Sequence, residues 1–260
     1  MSNLEAIILG LIQGFTEFLP VSSSAHLVLY NSFVIGLKSN LSLDIAMHIG
    51  SLIAVILIIA KPLRKTTSNV SIKNGVRKSF FFLVLATLPL VLMALFLEYA
   101  RLLDVSRQLE IIAFTNLVFA LLLFVSDRKP NTRKLSDITA GHIFLIGIWQ
   151  SFAVFPGTSR SGASITGARF LNYDRKEAII ISAILSIPAI FISSGYIAFK
   201  LFNSANKIEV EFTIYATIFS FIFSYLTLKF FIKFGEVFSF TPYVIYRLFL
   251  GLALLTVLYL

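Results

Sequence analysis

Two polar stretches in an otherwise apolar chain contain residue types that can act together on a phosphate. The first, Gln13–His26, holds Glu17 and three consecutive serines, and the second, Gln150–Gly162, holds Arg160. A hydrocarbon interior penalises a carboxylate or a guanidinium by about 2.5–3.5 kcal/mol or more. We therefore treat both stretches as candidate functional sites.

The second stretch is typical of an anion-binding turn. After a proline, and before a helix-compatible run, come Gly157, Thr158, Ser159, Arg160, Ser161 and Gly162. Such a turn offers backbone N–H groups, hydroxyls and one guanidinium, and arginine binds phosphate through paired hydrogen bonds. The alternative is a Ser/Gly-rich bend in which Arg160 pairs with a carboxylate. For an arginine at a buried turn, we favour phosphate binding.

The first stretch places an acid and an amide on one helix face. Gln13 and Glu17 lie four residues apart and point toward the serines. Glu17 can act as a general base, as a ligand of a divalent cation that bridges to phosphate, or as the ion-pair partner of Arg160. Two protein ligands suffice for Mg²⁺, which keeps waters and shares substrate oxygens, so we expect Mg²⁺ or Ca²⁺ on Gln13 and Glu17.

The serine cluster and the histidine after it supply candidate reactive groups. Ser22 and Ser24 can contact the substrate or cap the following helix. Ser23 can be a nucleophile or a phosphate donor, and His26 can act as nucleophile, general base or general acid. The sequence does not choose between Ser23 and His26. Zinc is disfavoured because the three histidines lack metal-ligand spacing.

Three other polar residues have plainer interpretations. Asp44 and His48 are four residues apart at the start of an apolar segment, where Asp44 either orients His48 or lies at a wetted helix end. Arg247 lies within a turn or two of a helix end, which predicts a side chain that snorkels to the interface.

Composition identifies an all-α polytopic membrane protein. The chain is 57% hydrophobic and 13% charged, with a mean hydropathy of +0.89, which excludes an ordinary soluble domain. The ten-residue alternation of an outer-membrane barrel is absent. Six apolar segments approach the ~20 residues of a spanning helix: Leu43–Ala60, Ser79–Leu97, Ile111–Val125, Ala178–Phe199, Phe212–Leu228 and Tyr243–Leu260.

The net charge of +9 reflects membrane topology rather than nucleic-acid binding. The loop Lys61–Lys78 is basic with no acid, and Asp127–Asp137 has a basic excess, whereas Glu98–Glu110 is mixed. Positive-inside logic places the first two loops in the cytoplasm and the third outside. Membrane lipids are therefore the expected surroundings, and no nucleic acid is expected as a partner.

The polar stretches sit in two segments that do not fit as simple spans. Ile7–Ile35 and Gly141–Leu171 are apolar at both ends but interrupted by Pro, Gly, Ser and Thr. As re-entrant helical hairpins they leave and return on one face and preserve the loop assignments. Non-helical backbone at membrane depth is tolerated only where it is buried in protein or lines a cavity.

The chain then divides into one hairpin plus three spans per half, within a single membrane domain of residues 1–260. The repeats cover approximately residues 1–130 and 131–260. Because three is odd, the second copy is inverted, as in many membrane proteins with broken helices at a central site. Gln13 aligns with Gln150 and, after a one-residue gap, Pro20 with Pro156 and Ser23 with Ser159.

Both motifs resemble those of the undecaprenyl-diphosphate phosphatases of the bacitracin-resistance type. The resemblance rests on Gln13–His26 and Pro156–Gly162, and it extends to Leu43–Val55 and Pro242–Arg247, in the family's order over essentially the full length. The first acidic position of the family motif is glutamine here, and Ala25 replaces a common glycine. The glutamine weakens any mechanism that needs two carboxylates on a metal.

The resemblance implies an integral plasma-membrane phosphatase that hydrolyses a polyprenyl diphosphate and so recycles the lipid carrier for cell-wall glycan synthesis. It implies paired re-entrant hairpins with a site that opens to the outer face. The family's functional positions fall on Gln13, Glu17, Ser23, His26 and Arg160.

The alternative from another class is a transporter or flippase of a polyprenyl phosphate or another anion, because inverted repeats suit alternating access equally well. Transport would leave Glu17, Ser23 and His26 without a chemical role. The oligomeric state, a homodimer included, stays open.

Overall fold

The structure is a computed structural model that describes residues 2–30, 41–67, 72–102, 108–202 and 210–259. In these ranges the chain is helical apart from turns and one isolated β-bridge between Arg133 and Tyr173. Its ten α-helices are α1 (Asn3–Thr16), α2 (Ser23–Tyr30), α3 (Leu41–Thr67), α4 (Ile72–Tyr99), α5 (Leu109–Asp127), α6 (Ala140–Ser151), α7 (Arg160–Phe170), α8 (Arg175–Phe202), α9 (Val210–Phe234) and α10 (Thr241–Tyr259).

The predicted spans are all helical, which confirms an integral, all-α membrane protein. Within the described ranges, five helices have stretches long and apolar enough to cross a bilayer: Ser42–Ala60, Phe80–Tyr99, Leu109–Asp127, Arg175–Phe199 and Val210–Phe234. The sixth predicted span forms α10, whose apolar stretch Thr241–Thr256 is shorter.

Three predicted segments fall partly outside the described residues. They are the loops Lys61–Lys78 and Glu98–Glu110 and the end of the predicted hairpin Ile7–Ile35. The last residue of the sixth predicted span, Leu260, also lies outside them.

Each segment predicted as a hairpin folds as helix, turn, helix. A capping box starts α1, because the Ser2 hydroxyl accepts from the Glu5 N–H and the Glu5 carboxylate accepts from the Ser2 N–H. A threonine N-cap, Thr139, starts α6. Prolines follow α1 and α6 within a few residues, and proline disfavours continued helix. Each of these helices therefore ends inside the polar stretch that contains its proline, and the turn forms there.

The two halves of the chain interlock rather than lie side by side. Helix α1 packs on α9, α6 packs on α4, and α5 packs on α10. Glycines allow close approaches between these helices: a Cβ at Gly10 would lie 2.8 Å from the Ala216 carbonyl oxygen, and one at Gly147 would lie 2.5 Å from the Ala86 carbonyl oxygen. The main core lies between α3, α5, α7 and α8, and large apolar side chains on the outside face the lipid.

A buried arginine lies near the end of α7. Arg169 lies in the last turn of that helix and is fully buried. Its guanidinium donates to the Asp127 carbonyl oxygen at 3.2 Å and to Asn131 Oδ1 at 2.7 Å. The Asp127 carboxylate in turn accepts from Arg175 Nε at 2.6 Å. Burial is possible because these oxygens replace water around the guanidinium.

We predict that Gly147→Ala destabilises the protein by about 1–3 kcal/mol, because the new methyl group overlaps the α4 backbone. The measurement is the thermal midpoint Tm in detergent micelles. Gly195→Ala is the matched control, since a Cβ there meets nothing within 4 Å and alanine favours helix over glycine by about 1 kcal/mol. Equal Tm values for the two variants would contradict the packing of α6 on α4.

Candidate functional site

The carboxylate of Glu17 joins the two polar stretches. It is 7% exposed and lies just beyond α1. Its Oε2 accepts from Gln13 Nε2 at 2.9 Å and from Ser23 Oγ at 2.8 Å. Its Oε1 accepts from Arg160 Nη2 at 3.1 Å. The structure thus brings together four of the residues singled out from the sequence, and the ion-pair partner of Arg160 is the carboxylate considered for it.

Arg160, the first residue of α7, is held from several sides. Besides Glu17, its guanidinium donates to the Ser182 carbonyl oxygen at 3.3 Å and lies 5.9 Å from the centroid of the Phe18 ring. Its side chain is 13% exposed. Ser182 of α8 was not identified from the sequence, because a backbone carbonyl carries no signal in residue type.

The two turns have the same local backbone. Ser22 and Ser159 both adopt φ +69°, in the left-handed region that L-residues rarely occupy. The Ser22 hydroxyl lies 3.2 Å from that of Ser24, and the Ser159 hydroxyl lies 3.1 Å from that of Ser161. Strained residues of this kind concentrate at functional sites.

The serines that share this angle are not the pair aligned from the sequence. The predicted alignment places Ser23 opposite Ser159, whereas Ser22 has the φ of Ser159. A constant offset of 137 positions pairs Gln13 with Gln150 and Ser22 with Ser159 without a gap.

Direct hydrogen bonds dock one turn on the other. The Gly157 N–H donates to Ser22 Oγ at 3.2 Å, and Ser161 Oγ donates to the Leu19 carbonyl oxygen at 2.7 Å. Gly157 has φ +94°, and a Cβ there would lie 2.3 Å from the Ile112 carbonyl oxygen, so only glycine fits.

The start of α7 presents further polar groups. Ser159 Oγ caps α7 by accepting from the Gly162 N–H at 3.1 Å. Thr158 is fully buried, and its hydroxyl oxygen has no hydrogen-bond partner. Every predicted residue from Gly157 to Gly162 therefore lies at the meeting point of the turns or on the first turn of α7.

His26 has a defined tautomer. Its Nδ1 lies 2.7 Å from the Ser22 carbonyl oxygen, and a carbonyl can only accept, so Nδ1 carries the hydrogen. Its Nε2 contacts the Tyr246 hydroxyl, which donates to it, and the two rings stack at 5.6 Å between centroids. Tyr246 was not assigned a role from the sequence, although it lies in the noted segment Pro242–Arg247.

The donors for a cation are few. Gln13 Oε1 is buried without a partner, and Glu17 is the nearby carboxylate. The described residues contain no cluster of three or more His, Cys, Asp or Glu side chains. His48 Nδ1 lies 2.6 Å from the backbone oxygen of Asp44, on α3. One carboxylate and one amide oxygen fit a hard cation that keeps waters, and they fit zinc poorly.

The expected snorkelling of Arg247 is wrong. The side chain is fully buried under the two turns. Its guanidinium donates to the carbonyl oxygens of Pro20, Gly157 and Thr158. A residue near a helix end in sequence can point inward wherever oxygens are available to receive it.

An apolar groove leads to His26. Its volume is about 430 Å³, and it runs between α1 and α10. Its apolar lining is Ile8, Leu11, Ile12, Phe15, Leu19 and Val21, with Tyr243 and Tyr246 on the other wall. Such a surface suits a hydrocarbon chain whose polar end lies at the turns.

Comparison with known proteins gives one consistent result. Residues 6–253 match the family model of the bacitracin resistance protein BacA. An undecaprenyl-diphosphatase of Jannaschia sp. (strain CCS1) is 35% identical, with 100% of each chain covered. Those of Dinoroseobacter shibae (100% of each chain) and Teredinibacter turnerae (98% of each chain) are 36% and 38% identical.

We predict that Tyr246→Phe speeds the reaction of His26 with diethyl pyrocarbonate several-fold, because the variant uncovers Nε2. Mass spectrometry of peptides measures the rate, and His48 and His142 in the same molecule serve as references whose rates stay constant. An unchanged rate at His26 would mean that the tyrosine hydroxyl does not cover Nε2.

Proposed function

The chain belongs to the bacitracin resistance protein BacA family, and we propose that it is an integral membrane phosphatase that hydrolyses undecaprenyl diphosphate, or a related polyprenyl diphosphate, to the monophosphate and inorganic phosphate. The observation that carries the proposal is the Glu17 carboxylate, which holds the Ser23 hydroxyl on one oxygen and the Arg160 guanidinium on the other. Base, nucleophile and phosphate-binding group thus form one connected unit. The product would return the lipid carrier to cell-wall glycan synthesis.

We propose that the two helix–turn–helix segments are re-entrant hairpins within inverted repeats of residues 1–130 and 131–260. The packing of the halves is reciprocal, with α1 on α9 and α6 on α4. Gly10 and Gly147, which are 137 positions apart like the two strained serines, make corresponding approaches to Ala216 and Ala86. This correspondence supports a twofold relation between the halves.

The repeats differ in chemistry. At the same spacing of 137 positions, Glu17 corresponds to Val154 and His26 to Ala163. The second half therefore contributes the arginine turn to the site, but it has no acid at the position that corresponds to Glu17 and no histidine at the position that corresponds to His26. We propose a single catalytic centre built from both halves.

The basic loop Asp127–Asp137 and the apolar groove together suggest where the substrate would bind. The basic excess of the loop Asp127–Asp137 supports a cytoplasmic position for that end of the protein. The site would then open to the outer face of the plasma membrane. The prenyl chain would lie in the groove beside Phe15 and Tyr246, and the diphosphate would reach the turns from the side.

Phosphate binding would use the groups that converge on the meeting point of the turns. Arg160 would bind the terminal phosphate and stabilise the charge that develops on its oxygens. The hydroxyls of Ser22, Ser24, Ser159 and Ser161 and the N–H groups of Ser159, Arg160 and Ser161 would complete the cradle.

The connected geometry supports Ser23 as nucleophile. Its oxygen would attack the terminal phosphorus while its proton passes to Glu17, and the bond from that phosphorus to the bridging oxygen would break. Polyprenyl monophosphate would leave. Once the Tyr246 hydroxyl had turned away from Nε2, His26 would accept a proton from the water that cleaves the phosphoserine, Glu17 would return its proton to Ser23, and inorganic phosphate would be released.

A divalent cation, Mg²⁺ or Ca²⁺, would be held by Glu17 and by Gln13 Oε1, whose buried oxygen lacks a partner. It would supply charge neutralisation for the phosphate oxygens. Homodimer formation stays a prediction.

We predict that Arg160→Ala lowers phosphate release from farnesyl diphosphate by about a hundredfold or more, the scale for loss of a group that stabilises transition-state charge. Free phosphate is measured with purified protein and Mg²⁺. Arg128→Ala, which removes an exposed arginine, is the control and should keep wild-type turnover. Wild-type turnover in Arg160→Ala would refute the site.

The same assay separates hydrolysis from transport. A transporter or flippase would move the lipid without releasing phosphate. Absence of free phosphate from the wild-type protein across a range of divalent cations would favour the transporter.

We predict an acid-stable phosphoserine at position 23 after rapid quenching of the reaction with substrate labelled in its terminal phosphate. Mass spectrometry locates the label. Ser23→Ala should abolish both the label and turnover, whereas Ser136→Ala, a distant exposed serine, should retain both. An acid-labile label on His26, or full turnover in Ser23→Ala, would assign the attack to another group.

A further inference from the structure

Arg247 connects the two turns through their backbones. It lies on α10 with no exposed surface. Its Nη1 donates to the Pro20 carbonyl oxygen at 3.3 Å, and its Nη2 donates to those of Gly157 at 2.8 Å and Thr158 at 3.0 Å. Its Nε donates to Asn116 Oδ1 at 2.9 Å. One planar group thus fixes three carbonyls from two distant parts of the chain.

The carbonyls that it binds correspond between the halves. Pro20 and Gly157 are 137 positions apart, as are Ser22 and Ser159. The guanidinium therefore lies between corresponding positions of the two turns. One of its terminal nitrogens donates to each turn. Because peptide bonds are trans, a carbonyl that points to Arg247 directs the N–H of the same peptide to the opposite side.

Asn116 of α5 fixes Arg247 from behind. Its Oδ1 receives Nε, and its Nδ2 donates to the Arg247 carbonyl oxygen at 2.7 Å. Asn116 is itself fully buried. The reciprocal pair sets the height of the guanidinium beneath the turns.

The charge on Arg247 is not neutralised by a carboxylate. Among the described residues, no Asp or Glu forms an ion pair with it, whereas Arg160 pairs with Glu17. One carboxylate against two guanidiniums leaves a single positive charge at the meeting point of the turns. In a poorly solvated interior its field extends further than it would in water.

We propose that Arg247 is a positioning residue of the phosphatase site, an inference that rests on the proposed function. It holds the two turns at a fixed separation, so that Ser23 from one and Arg160 from the other reach the same phosphate. Its uncompensated charge attracts the diphosphate without touching it. The two effects are separable. The fork of hydrogen bonds from Nη1 and Nη2 to the three carbonyls sets the separation of the turns, and the positive charge sets the affinity for the diphosphate.

The charge is tested at Asn116, without altering the arginine. Asn116→Asp loses the Nδ2 donor, keeps an acceptor for Arg247 Nε and places a negative charge beside it, whereas Asn116→Leu loses both donor and acceptor and adds no charge. We expect KM for farnesyl diphosphate, and Ki for inorganic phosphate, to be about tenfold or more higher in Asn116→Asp than in Asn116→Leu. Equal KM and Ki values in the two variants would overturn the role of the charge.

The fork is tested with Arg247→Lys, which keeps the charge but cannot reach both turns. We expect kcat to fall by about tenfold or more while KM changes little. Arg169→Lys is the matched control, because Arg169 is equally buried and donates to carbonyls remote from the turns; it should lower Tm without changing kcat of the folded protein. Wild-type kcat in Arg247→Lys would overturn the role of the fork.

Failure of the proposed function gives a different result from failure of this inference. A wild-type protein that releases no phosphate refutes the phosphatase. A wild-type protein that releases phosphate, together with Asn116 and Arg247 variants that keep its constants, refutes only the role of Arg247.

Discussion

The contact between Glu17 and Arg160 is the constraint on which the rest of the structure depends. The two groups come from segments 143 positions apart and meet at 3.1 Å with little exposure. A buried charge without its partner is strongly destabilising, so the two turns must meet. Each polar stretch breaks as helix, turn, helix where this contact forms.

Buried turns are stable only if their backbone N–H and C=O groups find hydrogen-bond partners. Here the partners come from distant parts of the chain: Arg247 donates to carbonyl oxygens of both turns, and the Ser22 hydroxyl accepts from the Gly157 N–H. Glycines on α1 and α6 bring the helices close enough for these bonds to form. The groups that hold the turns together therefore also surround the proposed phosphate position, so a change in the packing of the turns also changes the site.

Much of this arrangement could be predicted from the sequence. Apolar segments located the five helices that are long enough to cross a bilayer, and the shorter α10, because hydropathy depends on composition alone. The pairing of Glu17 with Arg160 was one of three roles that the sequence left open for Glu17. Family motifs pointed to the same residues.

The rest depended on tertiary contacts that residue types do not encode. Arg247 was placed at the interface because its position along the helix says nothing about which way its side chain points. Tyr246 could be recognised as a site residue only from its contact with His26 in the structure. That Ser22 shares the backbone angle of Ser159 could not be predicted, because residue types favoured the alignment of Ser23 with Ser159 and carry no information on φ.

Crosslinking tests most directly whether the two turns enclose one pocket. The chain has no natural cysteine, so Glu17→Cys combined with Arg160→Cys gives a protein with two thiols and no background. We expect rapid linkage by a short bifunctional thiol reagent in membranes, seen as joined peptides after cleavage in the loop near Arg128. A pair of Glu17→Cys with Ser136→Cys should stay unlinked. Folded protein in which positions 17 and 160 fail to link would contradict the shared pocket and the phosphatase built on it.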